Sequence, residues 1–149
     1  MAKELTGILL AAIEANDELV TITGGRVYDT ANEVPSWQDD NTLLPYLVVV
    51  ENGSQNEQAT KDSVWEGDTD HCNASIIICA ETPDKVRSLR RKVRQAVKDY
   101  IVSLADQGET IPYLTASSNE GVAWDDMKPC YNDAIHYQCD MDVIEPSES

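Results

Sequence analysis

Two histidines, His71 and His136, and four cysteines, Cys72, Cys79, Cys130 and Cys139, are the side chains of this sequence best suited to nucleophilic chemistry. A hydrolytic centre needs a nucleophile, a base and a group that orients the base. A thiol activated by an imidazole meets the first two needs. Spacing leaves His136 open to Cys130 or Cys139 as such a pair. A lone histidine on a strand, however, is ordinarily a satisfied surface or core residue. The chain holds no G-x-S-x-G, P-loop or G-x-G-x-x-G pattern that would seat a nucleophile or a phosphate. No two cysteines form a C-x-x-C pair, and their spacings match no zinc ribbon or finger. In a reducing compartment they read as four thiols, mostly buried. The acid pairs Asp39-Asp40 and Asp125-Asp126 offer the oxygens that Ca²⁺ or Mg²⁺ takes. Neither falls in an EF-hand pattern, and adjacent acids in turns are ordinarily solvated. No cofactor or metal is implied.

Charge is the feature that stands out. Lys and Arg total 11 against 27 Asp and Glu, a net of −16. Such a surface repels nucleic acid, whose phosphates need clustered cations, and does not favour an anionic membrane. It is compatible with lining a passage through which DNA slides without sticking. The cations are not spread evenly. Lys85, Arg87, Arg90, Arg91, Lys92, Arg94 and Lys98 are seven of the 11, and only Asp84 and Asp99 oppose them between Pro83 and Leu104. That segment is therefore +5 on a chain of −16, which leaves −21 elsewhere. Arg87, Arg91, Arg94 and Lys98 fall on one flank of a helix turning by roughly 100° per residue, with Arg90 at the margin of its apolar stripe. A solvated face with intrachain ion pairs is one reading. A second is a docking face for the acidic body of a neighbouring copy, and a third, DNA binding by this stripe, must overcome the −21 carried elsewhere. A head-to-tail contact between copies closes into a ring. Trp37, in a polar loop, either packs back on its own domain or anchors such a contact.

The elements that must carry these residues are legible from periodicity. Leu5, Ile8, Leu9, Ala12 and Ile13 predict an amphipathic helix over about 3–16, closed by Asn16-Asp17. It is not a signal peptide, so the chain is expected to stay where it is made, in a reducing cytosol. A glycine turn at Gly24-Gly25 precedes a short strand at Arg26–Tyr28, and a turn-rich loop spans 29–45. Tyr46–Glu51 predicts a strand buried on both faces, ended by Asn52-Gly53. Residues 53–63 are polar and expected to be loose, and Val64-Trp65 begins a weak strand. His71–Ala80 predicts a strand with Cys72, Ala74, Ile76 and Ile78 on one face. Thr82-Pro83-Asp84 starts a long helix that runs to about Leu104. Its buried stripe is Val86, Leu89, Val93, Ala96, Val97, Tyr100 and Leu104. Weak strands follow at Ile111–Leu114 and Gly121–Trp124. The best strand is Ala134–Ile144, with Ile135, Tyr137 and Cys139 alternating with His136, Gln138 and Asp140. Regular βαβ units are absent. The expected fold is α+β, a mainly antiparallel sheet with two helices packed on one face. One domain over 1–144 and a disordered tail over 145–149 complete the reading.

These residues also resemble a known family. The leading helix, Gly25-Arg26-Val27-Tyr28-Asp29, Val34-Pro35, Leu44-Pro45-Tyr46-Leu47-Val48-Val49, the strand Ala74–Ala80 and the helix with Val86, Leu89, Val93 and Val97 follow the order and spacing of the tail-terminator or tail-completion proteins of long-tailed bacteriophages and prophages. The resemblance runs to about Leu104. It implies an α+β subunit of a ring, typically hexameric, on the end of the tail tube. Such a ring stops tube growth, meets the head connector and lets DNA pass through its centre. It implies no catalytic residues. It places the protein in the virion tail, after assembly in the bacterial host cytoplasm. A head–tail connector or tail-tube subunit is the alternative of the same class, and a small hydrolase or metal enzyme the alternative of another. Arg87, Arg90, Arg91, Arg94, Lys98 and Trp37 are the expected self-association residues.

Overall fold

The computed structural model describes residues 5–29, 44–57, 69–108, 115–119, 121–125 and 130–142. Apolar residues at three- and four-residue steps make the inner face of α1 (Leu5–Glu14), where Leu5, Ile8, Leu9, Ala12 and Ile13 are buried. Asn16 does more than end this helix. Its backbone is extended, and its side-chain oxygen accepts the Leu19 N–H at 3.0 Å, capping a second helix, α2 (Asp17–Thr23). The sequence predicted a helix end at Asn16-Asp17 and a turn at Gly24-Gly25, with no helix between them. The Asn cap and the two acids in the first turn, Asp17 and Glu18, are the physical reason that a helix restarts. Gly24, in the left-handed region at φ 62°, stops α2 and turns the chain toward β1 (Val27–Asp29).

Two long strands form the middle of the sheet. β2 (Tyr46–Glu57) and β3 (Thr69–Ala80) pair antiparallel from Tyr46 opposite Cys79 to Glu57 opposite Thr69. The expected end of β2 at Asn52-Gly53 is not observed. The register shifts between Glu51 and Gly53, so the turn-forming dipeptide is absorbed as a bulge and pairing resumes beyond it. Ladder hydrogen bonds to β3 override the local turn preference. α3 (Pro83–Asp106) follows, then β4 (Thr115–Asn119), β5 (Ala123–Asp125) and β6 (Cys130–Asp142). β4 was not expected, because Thr-Ala-Ser-Ser-Asn has one β-branched residue, Thr115, and no aromatic or large apolar one; its partner β6 holds it. The weak strands expected at Val64-Trp65 and Ile111–Leu114, and the tail 145–149, lie outside the described residues.

The sheet runs β1-β2-β3-β6-β4, with β5 also on β6. β1 pairs with β2 in parallel and every other pairing is antiparallel. The fold is thus α+β with a mixed sheet and three helices among the described residues, rather than the two expected. α1 and α3 share one core with one sheet face: Leu9, Ile13, Val86 and Val93 pack with Leu47, Val49, Ile76, Ile78, Ile135 and Tyr137. Each such aliphatic side chain contributes about 1.5–3 kcal/mol on burial. The opposite face holds a second cluster of Leu44, Tyr46, Val48, Cys79 and Cys130. β2 is accordingly buried on both sides over Tyr46–Val49, as its unbroken apolar run predicted. The four cysteines are thiols, three of them buried.

Candidate functional site

The basic edge is positioned by how α3 begins and what it buries. The Thr82 hydroxyl accepts the Lys85 N–H at 3.2 Å and Pro83 occupies the first turn, so the helix starts at a defined residue. Val86, Leu89, Val93, Ala96, Val97 and Leu104 are buried, which sets its rotation about its own axis. The cations then fall to the two flanks. On one, Lys92 reaches Glu18 of α2 at 2.7 Å. On the other, Arg90 reaches β6. Lys85 pairs with Glu81 at 3.1 Å and Arg87 with Asp84 at 3.0 Å, both pairs solvent-exposed. Exposed pairs of this kind contribute about 0–1 kcal/mol and exchange readily for other partners. Arg91 and Lys98 are exposed and form no ion pair among the described residues.

Arg90 differs from its neighbours. Its guanidinium donates to Asp133 Oδ2 at 2.8 Å, and the Asp133 side chain is 0% exposed against 26% for Arg90. The other carboxylate oxygen accepts the N–H groups of Gly121 and Ala134, each at 2.8 Å. The sequence reading grouped Arg90 with the self-association set. The structure gives its guanidinium an internal partner, and Asp133 was missed. A signal was present: Asp133 shares strand parity with Ile135 and Tyr137, so it belongs to the apolar face, and a buried acid needs a cation. Arg90, at the margin of the buried stripe, is that cation. Trp37 lies outside the described residues.

The residues that suggested hydrolysis are not brought together. Cys139 faces the helix-bearing core while His136 stands on the other face, because strand neighbours alternate. Cys130 shares the His136 face but lies six residues along β6, about 20 Å away. His136 Nδ1 instead shares a hydrogen bond of 2.6 Å with Ser75 Oγ, its register partner on β3, and Asn52 Nδ2 donates to the same oxygen. Ser75 is 4% exposed. This chain of polar groups fastens β2, β3 and β6 where the bulge interrupts the ladder. No three His, Cys, Asp or Glu side chains converge on a common point among the described residues. Asp39, Asp40 and Asp126 lie outside them. A shallow apolar cleft of about 290 Å³ is lined by Ile22, Pro45, Lys85, Ser88 and Leu89, and its one cation is the Lys85 paired with Glu81. No described helix is long and apolar enough to cross a membrane.

Tyr137 is the one buried side chain whose polar atom has no hydrogen-bond partner among the described residues. Burial pushes its phenol from 10.0 up to about 12, an effect that the nearby Arg94 cation partly offsets. The unfolded chain therefore releases this proton at lower pH than the fold does. The stability contributed by the neutral phenol is complete below pH 10 and is lost as pH rises toward 12, by about 2–3 kcal/mol. Tyr137→Phe is expected to gain about 1 kcal/mol at neutral pH, since an unsatisfied hydroxyl leaves the core. It should also remove this part of the alkaline loss. Urea unfolding of both proteins at pH 7 and pH 11 checks the two effects, and a variant less stable than wild type at pH 7 would show that the hydroxyl is bonded.

Comparison with known proteins places this architecture. Residues 8–116 match the family described as Tail completion protein gp17. No curated protein sequence matches the chain. Among solved structures, a chain from the virion of a native gene transfer agent (GTA) particle shares the fold, with a TM-score of 0.51 at 11% identity over 93% of this chain and 95% of that one. The match covers the helix–sheet core from α1 through α3 to the start of β4, the same frame that positions the basic edge. The chain belongs to the tail completion protein gp17 family and is a structural protein of the phage tail.

Proposed function

We propose that this chain assembles head-to-tail into a closed ring that terminates the tail tube and joins it to the head connector. The observation that carries the reading is the sorting of charge on α3. Arg91 and Lys98 stand exposed without an ion-pair partner among the described residues, and Arg87 is held only by an exposed pair with Asp84. The rest of the molecule is strongly acidic, within a net charge of −16. A cationic edge on an anionic body is satisfied by the next copy in a heterologous contact, and such contacts close when the rotation permits. Arg94 and Trp37 belong to the same proposed contact, with Arg90 holding the helix in place through Asp133. The acidic wall suits a conduit past which DNA slides without binding. The reading treats 1–144 as one domain with 145–149 a tail beyond it, assembling in the bacterial host cytoplasm before joining the virion.

Family membership supports a tail role, and the charge arrangement supports a head-to-tail contact between copies. Sedimentation of the purified protein, with negative-stain electron microscopy, tests it. The expected result is one discrete closed oligomer. A monomer at all concentrations, or an open cylinder that lengthens with concentration, would sink the terminator reading; the cylinder would favour a tube subunit.

A further inference from the structure

We propose that Trp124 is the apolar anchor of the contact between neighbouring copies, and that the acidic surface of the next copy closes over it and the adjoining basic edge of α3. This rests on the ring reading above. Trp124 and Val102 are the two large apolar side chains that stand exposed among the described residues, at 50% and 53%. Leaving an indole half in water forfeits burial that a side chain of this size gains inside a fold or an interface.

The indole is held in place. β5 is paired to β6 through Ala123 opposite Asn132, Trp124 opposite Tyr131 and Asp125 opposite Cys130. The Trp124 ring meets the Tyr131 ring edge-on, with centroids 4.9 Å apart and planes at 64°. Tyr131 in turn packs against the main core, so Trp124 rises from the sheet face that carries α3. An anchor fixed before contact loses little freedom on binding.

The same side of the molecule carries the cations. Arg90 reaches across from α3 to Asp133 on β6, whereas Lys92 reaches away from it to α2. Round the helix from Arg90, Arg94 and Arg87 follow on the β6 side, and Arg91 and Lys98 lie farther out, on the face turned away from the sheet. Asp133 ties the two parts together. It bonds Arg90 and also the Gly121 N–H, three residues before Trp124. Val102 shares that outward face with Arg91 and Lys98. An exposed, braced Trp, on the side of the molecule toward which Arg90 reaches, is of the residue type that dominates interface energetics.

The occupant is a second copy because the charges match. Arg91 and Lys98, which form no ion pair among the described residues, find a complement in the acidic excess of a chain that is −21 outside α3. Nucleic acid is repelled by that same excess.

Sedimentation of full-length wild type, Trp124→Ala, Trp124→Phe and the double variant Arg91→Glu/Lys98→Glu decides the matter. Trp124→Ala should keep its far-ultraviolet dichroism and raise the half-assembly concentration at least about tenfold, with Trp124→Phe restoring much of the loss. If Trp124→Ala assembles like wild type while the charge-reversed protein falls apart, the anchor is wrong and the ring reading stands. If wild type itself stays monomeric, the ring reading fails and takes this proposal with it. If Trp124→Ala forms rings that no longer cap tails lacking this protein, the anchor belongs to a tube or connector protein and the copy-to-copy assignment is overturned. Should Trp124→Ala fail to fold, hydrogen exchange of wild type replaces it. Protection of the Ala123–Asp125 amides on assembly supports the contact, and unchanged exchange there overturns it.

Discussion

Arg90→Met is expected to cost about 3–5 kcal/mol of folding stability, the largest effect of any single substitution on the basic edge. The reason is the asymmetry of the pair. Asp133 is fully buried and Arg90 is a quarter exposed, so the carboxylate cannot recover water when its cation is removed. Two backbone N–H groups, from Gly121 and Ala134, would be left to hold a buried negative charge alone. The substitution keeps most of the aliphatic stem, which limits the packing loss. Adding Asp133→Asn to Arg90→Met should recover a large part of the deficit, because the buried charge disappears while the side chain keeps its shape. Urea unfolding of the single and double variants measures this coupling. A cost below about 1 kcal/mol for Arg90→Met would place the pair in the class of ordinary surface bridges. Loss of this pair should also loosen the Gly121–Asp125 segment, since Asp133 is bonded to its first residue.

Charge reversal farther round the same helix is expected to act on assembly and leave the fold intact. Arg91→Glu/Lys98→Glu removes two cations that have no internal partner among the described residues and puts two anions before an acidic surface. Like charges brought together at an interface cost several kcal/mol. The half-assembly concentration should therefore rise at least about a hundredfold. The midpoint of unfolding should stay close to that of wild type, because both side chains are exposed. The proposed assembly of the wild type should weaken as salt is raised from about 0.05 M to about 0.5 M, where screening shortens to a few ångströms. Rings that survive both the reversal and the salt would remove α3 from the interface. The contrast with Arg90→Met is informative: adjacent arginines, one residue apart, are expected to report on different properties, folding for Arg90 and association for Arg91.

Local signals were enough for much of this molecule. The stripe Leu5, Ile8, Leu9, Ala12 and Ile13 specifies α1, and Thr82-Pro83-Asp84 marks the start of α3, because capping and helical periodicity act within a few residues. The alternation of Ile135, Tyr137 and Cys139 with His136 and Gln138 specifies the two faces of β6, since strand side chains repeat every second residue. The segregation of cations onto one helix is likewise a property of residue order alone. What escaped the sequence depends on partners distant along the chain. β2 runs on past Asn52-Gly53 because β3 supplies its ladder, and β4 exists because β6 does. Helical periodicity set Arg90 at the margin of the stripe, but its partner came into view only once α3 lay over β6 and brought Asp133, 43 residues away, within 2.8 Å. Ser75 and His136, 61 residues apart, became bonded partners through register alone. Turn, cap and stripe energies are local and can be read in order. Ion pairs, bulges and strand edges are settled only when the backbone brings their second member into reach.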